Sequence, residues 1–377
     1  MPEKSASGGK TVSGVLDITD KGYGFLRSMS NGFAVAPSDP YVGQNIIRKH
    51  SFKKGMFIEG IGARKSAKQP NLALEKILTV DGLPLSSINR RTPFSKLPVI
   101  DPSEKLILET GTMPLTTRIM DIFTPIGKGQ RALIVSPPKA GKTTFLGDVA
   151  RGVMKNNPEV HVIVFLIDER PEEVTEFKRT IGGEILATSF DAPLNDQIRL
   201  AELAFERVTR LVEAGQDVLL IVDSLTRLGR AFNKATETKG KTLSGGVASS
   251  ALQFPRKFFG AARNIEGGGS LTIVATCLVD TGSRMDEVIF QEFKGTGNTE
   301  IVLDRNLAEE RVFPAVNLSQ SGTRKEEKLQ TQRDLTKIWT LLRALARDKG
   351  YQKYKIMLEK MTSFKSNAEF LASIPDH

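Results

Sequence analysis

Residues that build disulfides, metal centres or membrane spans are scarce in this sequence. It contains a single cysteine, Cys277, and three histidines, so an internal disulfide is impossible and a zinc site made from Cys and His is not expected. No apolar run approaches the roughly 20 residues that a membrane-spanning helix needs, and residues 1–10 are polar and lack the apolar segment of a signal peptide. We therefore expect a cytoplasmic protein without a membrane partner, in which residues 1–10 form a flexible tail.

Charge is abundant but unevenly distributed along the chain. The net charge is +10, and residues 1–100 hold 15 Lys and Arg against 7 Asp and Glu, while the rest of the chain holds 38 against 36. Solubility alone would not require this segregation. The first hundred residues are therefore expected to attract an anionic ligand.

Residues 11–82 contain short alternating stretches that are separated by Gly, Pro, Asn and Asp. This pattern predicts a small antiparallel β-barrel. Asn31 and Gly32 lie between two such stretches and favour a tight hairpin turn there. Residues 83–115 are rich in Pro and basic residues without clear periodicity, so we expect them to connect two domains.

In residues 116–377, apolar strand runs alternate with longer helical stretches. The runs are residues 132–135, 162–167, 218–222 and 271–275. Such alternation predicts a mostly parallel sheet that is covered on both faces. Near the C-terminus, apolar positions at helical spacing predict helices that pack on the core or on another subunit.

A phosphate-binding loop is indicated by residues 136–144, SPPKAGKTT, which follow an apolar strand and precede a helical pattern. In this motif, backbone N–H groups hold phosphate oxygens, Lys142 reaches the β and γ phosphates, and the Thr143 hydroxyl ligates Mg²⁺. The consensus opens with Gly, whereas Ser136 opens this loop. The sequence therefore predicts a site for ATP and Mg²⁺.

Two later apolar runs end in acidic residues. Residues 162–167 lead into Asp168 and Glu169, and residues 218–222 lead into Asp223. Ligands of open α/β sheets bind at the carboxyl ends of the strands. We expect Asp223 to hold the magnesium shell and Glu169 to act as the base that orients the attacking water, although the opposite assignment is open.

The segment GYGFLR, residues 22–27, has a face suited to nucleic acid. The two-residue period of a strand places Tyr23, Phe25 and Arg27 on one side and Leu26 on the other. Aromatic rings stack on unpaired bases and Arg pairs with phosphate or stacks, as in barrels that bind single strands. The alternative, in which the rings form the barrel core, is less favoured because Leu26 points the other way.

Two Gly-rich segments of the second domain carry lysines outside the strand runs. They are residues 239–247 and residues 294–298. Loops of this composition either connect elements or bind ligands. The residues alone leave both roles open.

The order of motifs resembles that of the Rho family of bacterial transcription termination factors. The motifs are GYGFLR, PPKAGKT, LIDERPEEV, SLTRLGRAFN, FFGAARN, DEVIFQEFKGTGN and SGTRKEE, and the resemblance runs from about residue 14 to the end. It implies an α/β RecA-like P-loop ATPase domain with a small N-terminal all-β OB/cold-shock-like barrel. It also implies a homohexameric ring that moves 5′ to 3′ along single-stranded RNA and dislodges RNA polymerase.

The resemblance also implies two RNA sites. The primary site would consist of Gly22, Tyr23, Gly24, Phe25, Leu26, Arg27, Asp39, Pro40, Tyr41, Gln69, Pro70 and Asn71. Asn71 departs from the family, where an aromatic residue is common, so base preference is expected to differ there. The secondary site, inside the ring, would consist of Thr242, Leu243, Ser244, Gly245, Gly246 and Val247, with Lys294 as a phosphate contact.

For ATP, the resemblance implies a binding set around the phosphates and a catalytic set. The binding set is Gly127, Lys128, Gly129, Gln130, Arg131, Ala132, Lys139, Ala140, Gly141, Lys142, Thr143, Thr144, Arg170 and Asp223, with Phe313 against adenine. The catalytic set is Lys142, Glu169, Arg324 and Arg305. Arg324 resembles an arginine finger that reaches a neighbouring subunit, which would make hydrolysis depend on assembly.

Two other functions are compatible with parts of the pattern. A P-loop domain behind an N-terminal barrel also describes subunits of rotary ATPases, and a barrel with a vestigial nucleotide site would describe an RNA chaperone. The stacking strand and the basic loops argue against the first, and the retained Lys142, Thr143, Glu169, Asp223 and Arg324 argue against the second. We also expect the short N-terminal tail to lack the small helical subdomain that many Rho proteins place before the barrel.

Overall fold

Two sheets dominate the described part of the protein. The computed structural model describes residues 9–64, 71–236, 246–248, 250–346 and 351–375. The N-terminal strands form an antiparallel barrel, and the second sheet is mostly parallel with an apolar core on each face. The prediction of an α/β ATPase domain with a small all-β barrel is confirmed.

The barrel is closed by pairing between its third and fifth strands. Its elements are β1 (Lys10–Ile18), β2 (Gly24–Arg27), β3 (Tyr41–Val42), α1 (Gln44–Lys49), β4 (Phe57–Ala63), β5 (Ala73–Val80) and the short β6 (Leu83–Pro84). The strand order is β3-β2-β1-β4-β5-β6, and β3 also pairs with β5. Inward-facing side chains such as Leu16, Leu26 and Ile58 are fully buried, as the alternating pattern predicts.

The hairpin predicted at Asn31 and Gly32 is wrong. A 3-10 helix at Met29–Asn31 follows β2, and Gly32 ends it with φ +64° before a longer loop leads to β3. The reason is tertiary, because Phe33 is fully buried in the core of the ATPase domain rather than placed on a strand. The positive φ that the Asn-Gly pair supplies is used, but it turns the chain toward the other domain.

The connector is docked along its length. It contains 3-10 helices at Leu85–Arg90 and Phe94–Lys96 and a short strand, β7 (Val99–Ile100). β7 pairs with β12 (Arg263–Ile265), which belongs to the second sheet. The Phe94 ring is buried beneath the guanidinium of Arg263 at 4.3 Å, so this segment is part of the ATPase surface.

The second sheet has the strand order β10-β9-β11-β13-β8-β14-β15. In addition, β12 pairs with β13, and β7 pairs with β12. Its remaining strands are β8 (Arg131–Ser136), β9 (His161–Glu169), β10 (Glu184–Ser189), β11 (Asp217–Asp223), β13 (Ser270–Leu278), β14 (Thr299–Val302) and β15 (Gly322–Thr323). The neighbouring strands β10, β9, β11, β13, β8 and β14 run parallel, so their carboxyl ends meet at one edge. That edge carries the phosphate loop.

Helices cover both faces of this sheet. They are α2 (Leu115–Phe123), α3 (Lys142–Asn156), α4 (Pro171–Thr180), α5 (Leu194–Glu213), α6 (Leu225–Thr236), α7 (Gln253–Gly260), α8 (Arg284–Lys294), α9 (Arg305–Glu309), α10 (Gln332–Ala346), α11 (Gln352–Thr362) and α12 (Asn367–Ala372). Ile338 of α10 is fully buried in one of the two apolar cores, as the helical spacing near the C-terminus predicts.

Two buried carboxylates of the barrel fix it to α5. Asp17 accepts hydrogen bonds from Arg27 of the barrel, at 3.1 Å, and from Arg199 of α5, at 3.2 Å. Asp81, at the end of the barrel, lies 2.8 Å from Arg207 of α5. Because both carboxylates are at most 5% exposed, the two domains meet through a desolvated ionic interface.

Candidate nucleotide site and RNA-binding face

The phosphate loop connects β8 to α3 in the predicted order. Lys139 and Gly141 adopt left-handed backbone conformations, with φ of +65° and +86°, and α3 begins at Lys142. This geometry turns backbone N–H groups toward the space before the helix N-terminus. The Phe313 ring lies 3.4 Å from where a Cβ on Gly141 would stand and is 48% exposed, so it can pack on a base held at the loop.

The two predicted acids meet at the lysine of the loop. The Lys142 ammonium contacts Asp223 Oδ2 and lies 3.7 Å from Glu169 Oε2. Asp223 Oδ1 also accepts a hydrogen bond from Thr276, at 2.8 Å, on the adjacent strand. Both acids are fully buried at the ends of β9 and β11. The strand-end argument therefore correctly places Lys142, Glu169 and Asp223 together.

The environment of Glu169 favours a basic carboxylate. Burial raises its pKa, and the neighbouring Asp223 carboxylate raises it further, while Lys142 and Arg227 act in the opposite direction. A carboxylate with a raised pKa accepts a proton more readily at neutral pH. This supports the assignment of Glu169, rather than Asp223, as the base.

The sequence reasoning missed two residues of this site. Arg227 Nη1 lies 2.6 Å from Glu169 Oε2 and donates to the Asp168 carbonyl at 2.6 Å. Glu173 Oε2 accepts a hydrogen bond from the Thr143 hydroxyl at 3.2 Å. Arg227 follows Asp223 by one helical turn, and Glu173 lies in the first turn of α4 after Glu169. Proximity to the two acids in sequence was the available signal.

The donor set suits Mg²⁺. The Thr143 hydroxyl and the Asp223 carboxylate are hard oxygen donors at the phosphate loop, and Mg²⁺ is typically held by one or two protein oxygens together with phosphates and water. Among the described residues, no group of three or more His, Cys, Asp or Glu side chains could hold a metal ion by itself. A magnesium ion here would therefore arrive with the nucleotide.

Residues 127–131 do not lie at the phosphate loop of their own chain, so their place in the predicted binding set stays a prediction. They precede β8, whereas the loop follows it, and β8 spans six residues at about 3.3 Å each. Their side chains serve the opposite edge of the sheet: Lys128 contacts Glu104 at 2.6 Å and Asp217 at 2.9 Å. Gly129 donates to Thr272, Gln130 to Thr299, and Arg131 to the Thr296 carbonyl. Ala132 is buried inside β8.

The remaining predicted nucleotide residues divide between the loop and the surface. Ala140 is buried within the loop, and Thr144 is exposed in the first turn of α3. Arg170 is exposed and directly follows Glu169, while Arg305 is exposed at the start of α9 and pairs with Glu309 at 2.7 Å. These positions leave the predicted roles of Arg170 and Arg305 as predictions.

Arg324 lies at the edge of the sheet opposite its own phosphate loop. It follows β15, whose Thr323 pairs with Thr299 at the start of β14, and its backbone N–H donates to the Asn298 carbonyl at 2.8 Å. The Arg324 side chain is exposed, and no carboxylate of the described chain forms an ion pair with it. Arg324 is therefore available to a second molecule and not to its own P-loop.

Three aromatic rings form a partly exposed cluster on the barrel. The ring centroids of Tyr23, Phe25 and Tyr41 are 5.7–5.9 Å apart in each pair. All three rings are half-buried, whereas Leu26 is fully buried on the other side of β2. The core alternative is therefore excluded for these rings, which present a surface on which bases could stack.

Arg27 lies on the same face but is not a free cation. Only 6% of it is exposed, its guanidinium carbon lies 5.1 Å from the centre of the Phe25 ring, and it is paired with Asp17 and Asp39. The expectation that it offers its charge to phosphate has to be corrected, because two buried carboxylates already hold it. Asn71 Nδ2 donates to the Asp39 carbonyl at 2.7 Å and so supports the same loop.

Other predicted RNA residues are only partly described. Gly22 has φ +82° and Gly24 is buried in β2, while Pro40 donates no N–H and its carbonyl accepts from Leu26. Gly246 and Val247 lie beyond α6, and Lys294 is exposed at the end of α8 with its ammonium 5.7 Å from the Phe290 ring. The following lie outside the described residues: Gln69, Pro70, Thr242, Leu243, Ser244 and Gly245.

No helix in the described ranges combines the length and the apolar character that a membrane span requires.

Both domains match known protein families. Residues 116–323 match the ATP synthase alpha/beta family, nucleotide-binding domain, and residues 12–86 match the Rho termination factor, RNA-binding domain. Among solved structures, the fold is similar to a prototypical ATPase from the type III secretion system of pathogenic bacteria, with 23% identity, TM-score 0.62, and coverage of 73% of this chain and 85% of that one. The ATPase EscN from enteropathogenic E. coli is similar at 22% identity and TM-score 0.62, with coverage of 82% and 77%.

Relatives over the whole chain carry one name. Transcription termination factor Rho of Aquifex aeolicus is 47% identical, with coverage of 96% of this chain and 84% of its own length. Rho of Pseudomonas fluorescens biotype C is 46% identical, with coverage of 99% and 90%. Rho of Micrococcus luteus is 50% identical over 96% of this chain, which spans only 53% of that longer protein. The chain therefore belongs to the Rho transcription termination factor family.

Proposed function

We propose that this chain is an ATP-dependent 5′–3′ RNA translocase and helicase that binds nascent single-stranded RNA and terminates transcription. The observation that carries the proposal is the combination of a complete P-loop site with an aromatic cluster on a basic barrel. The substrates would be ATP with Mg²⁺ and RNA, and the transcribing RNA polymerase would be the partner. The names of the relatives support termination as the outcome.

The nucleotide site has a group for each requirement of phosphoryl transfer. Lys142 can bind the β and γ phosphates, and Thr143 and Asp223 can hold Mg²⁺, which neutralises charge on the phosphates. Glu169 can orient a water and accept its proton, because its pKa is raised by burial. Arg227, 2.6 Å from Glu169 Oε2, fixes the orientation of that carboxylate.

The RNA half of the proposal rests on the barrel. Tyr23, Phe25 and Tyr41 can stack bases, and each stacked base is worth about 1–3 kcal/mol in such sites. Arg27 supports RNA binding indirectly, since its ion pairs with Asp17 and Asp39 fix the loop that carries Tyr41. Sequence preference would then come from this loop and from Asn71.

A homohexameric ring is supported by the position of Arg324. Within one subunit it lies at the sheet edge opposite the phosphates, so it can serve only a neighbour's site. Exposed apolar side chains flank its loop: Val99 and Ile100 precede Asp101, which binds Lys325, and Trp339 donates to Glu326. Exposed apolar residues around a functional arginine are typical of a subunit interface.

The test measures ATP hydrolysis with and without cytosine-rich RNA for the wild type, for Lys142→Ala, and for Tyr23→Ala/Phe25→Ala. We expect RNA to stimulate the wild type, Lys142→Ala to be inactive, and the double variant to need far more RNA for the same stimulation. Wild-type hydrolysis that is indifferent to RNA would refute the translocase. RNA binding without any hydrolysis would instead identify a chaperone.

A further inference from the structure

The loop that carries Arg324 has an unusual backbone directly after the arginine. Lys325 adopts a left-handed conformation with φ +57°, and a single 3-10 turn, Glu326–Lys328, follows it. A left-handed backbone conformation is energetically unfavourable for a lysine, so surrounding contacts have to maintain it. On one side, the Arg324 N–H is held by the Asn298 carbonyl at 2.8 Å.

On the other side the loop is held by the connector. Both carboxylate oxygens of Asp101 accept from Lys325 Nζ, at 2.9 and 2.8 Å, and Oδ2 also accepts from Lys328 Nζ at 2.7 Å. These contacts lower the pKa of Asp101 to about 2. The carboxylate therefore remains charged, and able to hold both lysines, throughout the neutral range.

Asp101 is itself fixed by the sheet. It directly follows β7, which pairs with β12, and the Pro98 carbonyl accepts from the Glu266 N–H at 3.1 Å. Two lysines within four residues of Arg324 thus converge on one carboxylate that is anchored to a different part of the fold. Ion pairs this exposed contribute little to the stability of a fold, so a change at Asp101 is expected to affect the loop and not folding.

We propose that Asp101 is a positioning residue for Arg324: by holding Lys325 and Lys328, it sets the direction in which the arginine leaves the subunit. This inference rests on the proposed function, in which Arg324 stabilises the transition state of a neighbouring site. In this role Asp101 acts only through the loop, by its contacts with Lys325 and Lys328. The connector from the RNA-binding barrel then contributes to hydrolysis indirectly, through the loop that carries Arg324.

The first test is the kinetics of RNA-stimulated ATP hydrolysis by the full chain. Asp101→Asn keeps the shape but removes the charge, and we expect kcat to fall about five- to tenfold with KM for ATP unchanged, because a misdirected catalytic group costs rate rather than ground-state binding. Asp101→Glu retains the charge and should retain most of the activity. Glu310→Gln is the matched control. Glu310 is an exposed carboxylate that forms an ion pair with Lys355, at 2.6 Å, and it belongs to a different part of the fold from the Arg324 loop.

The second test separates positioning from a general loss of structure. ADP with aluminium fluoride mimics the transition state, in which an arginine finger binds the transferring group, whereas ADP alone does not require it. Asp101→Asn should weaken binding of ADP–aluminium fluoride and leave ADP binding unchanged, as Arg324→Ala should do more strongly. Equal weakening of both ligands would overturn the positioning role.

The outcomes distinguish the inference from the proposed function beneath it. If Arg324→Ala hydrolyses ATP at the wild-type rate, the arginine finger is refuted, and Asp101 loses its role with it. If Arg324→Ala is inactive while Asp101→Asn matches the wild type in kcat and in ADP–aluminium fluoride binding, only the role of Asp101 is refuted.

Discussion

The ionic interface between barrel and ATPase domain gives a stability prediction whose size follows from burial. Asp81 has no exposed side-chain surface and lies between Arg91, at 2.5 Å, and Arg207, at 2.8 Å, which are 6% and 4% exposed. Its Oδ1 also accepts from the Phe57 N–H at 2.8 Å. Asp81→Asn removes the charge, which takes from the buried Arg91 the carboxylate it pairs with and leaves the buried Arg207 only Glu184, at 3.7 Å.

Removing one partner of a buried ion pair typically costs about 3–5 kcal/mol. The Asn amide oxygen can still accept one hydrogen bond, and Asn tolerates the positive φ of +53° at this position, so we expect the lower end, a loss of about 3 kcal/mol. The assay is urea unfolding followed by circular dichroism, with hydrogen exchange of β1 and β4 to report on the barrel. Asp20→Asn, at an exposed position of the barrel, is the control and should stay within about 0.5 kcal/mol of the wild type.

A double-mutant cycle tests the cause. If the cost arises from the lost contact between Asp81 and Arg207, then Arg207→Met combined with Asp81→Asn should cost less than the sum of the two single changes. Strict additivity, or a loss below about 0.5 kcal/mol for Asp81→Asn alone, would refute the view that this interface is a desolvated ion-pair network.

Three further predictions concern catalysis, RNA binding and pH. Glu169→Gln should lower kcat for ATP hydrolysis about 10²–10⁴-fold with ATP binding retained, measured by single-turnover hydrolysis and by nucleotide titration; an active variant would exclude Glu169 as the base. Tyr41→Ala should weaken binding of cytosine-rich RNA by about 1–3 kcal/mol and Tyr41→Phe should not, as measured by fluorescence anisotropy; equal effects would mean that the ring does not stack. Burial raises the pKa of Asp121 from 3.8 to about 6, so its stabilising contribution is complete below pH 3.8 and is lost as pH rises through about 6. Between pH 4 and 7, Asp121→Asn should therefore remove a change of about 3 kcal/mol in the unfolding free energy. An unchanged slope would contradict the raised pKa of Asp121.

The nucleotide site could be predicted from sequence because its geometry is local. The strand, loop and helix around Lys142 are contiguous, and Glu169 and Asp223 each end a strand whose direction the pattern fixes. Residues 127–132 were expected at the phosphates only from the family resemblance, and within one chain residues 127–131 are separated from the loop by the length of β8. Each residue of a strand adds about 3.3 Å, so a segment that precedes β8 lies at the opposite edge of the sheet from the loop that follows β8.

The aromatic face was predictable in part. Two-residue periodicity assigns Tyr23 and Phe25 to one side of β2 and Leu26 to the other, and the structure agrees. Periodicity cannot show that Arg27 is buried, because its partners Asp17 and Asp39 come from other segments of the barrel. The burial of Phe33 could not be predicted for a similar reason, because its place in the ATPase core depends on how the two domains pack.

The burial of Arg27 connects the aromatic face of the barrel to the ATPase domain. Its guanidinium packs on the Phe25 ring, and Asp17, which it pairs with, also binds Arg199 of α5 at 3.2 Å. The Phe25 ring is thus connected, through the side chains of Arg27 and Asp17, to a helix of the ATPase core. Because Arg27, Asp17 and Arg199 are all at least partly desolvated, displacement of one of these three side chains is energetically coupled to the others. The aromatic face of the barrel is therefore continuous with the ATPase domain, to which buried ion pairs join it.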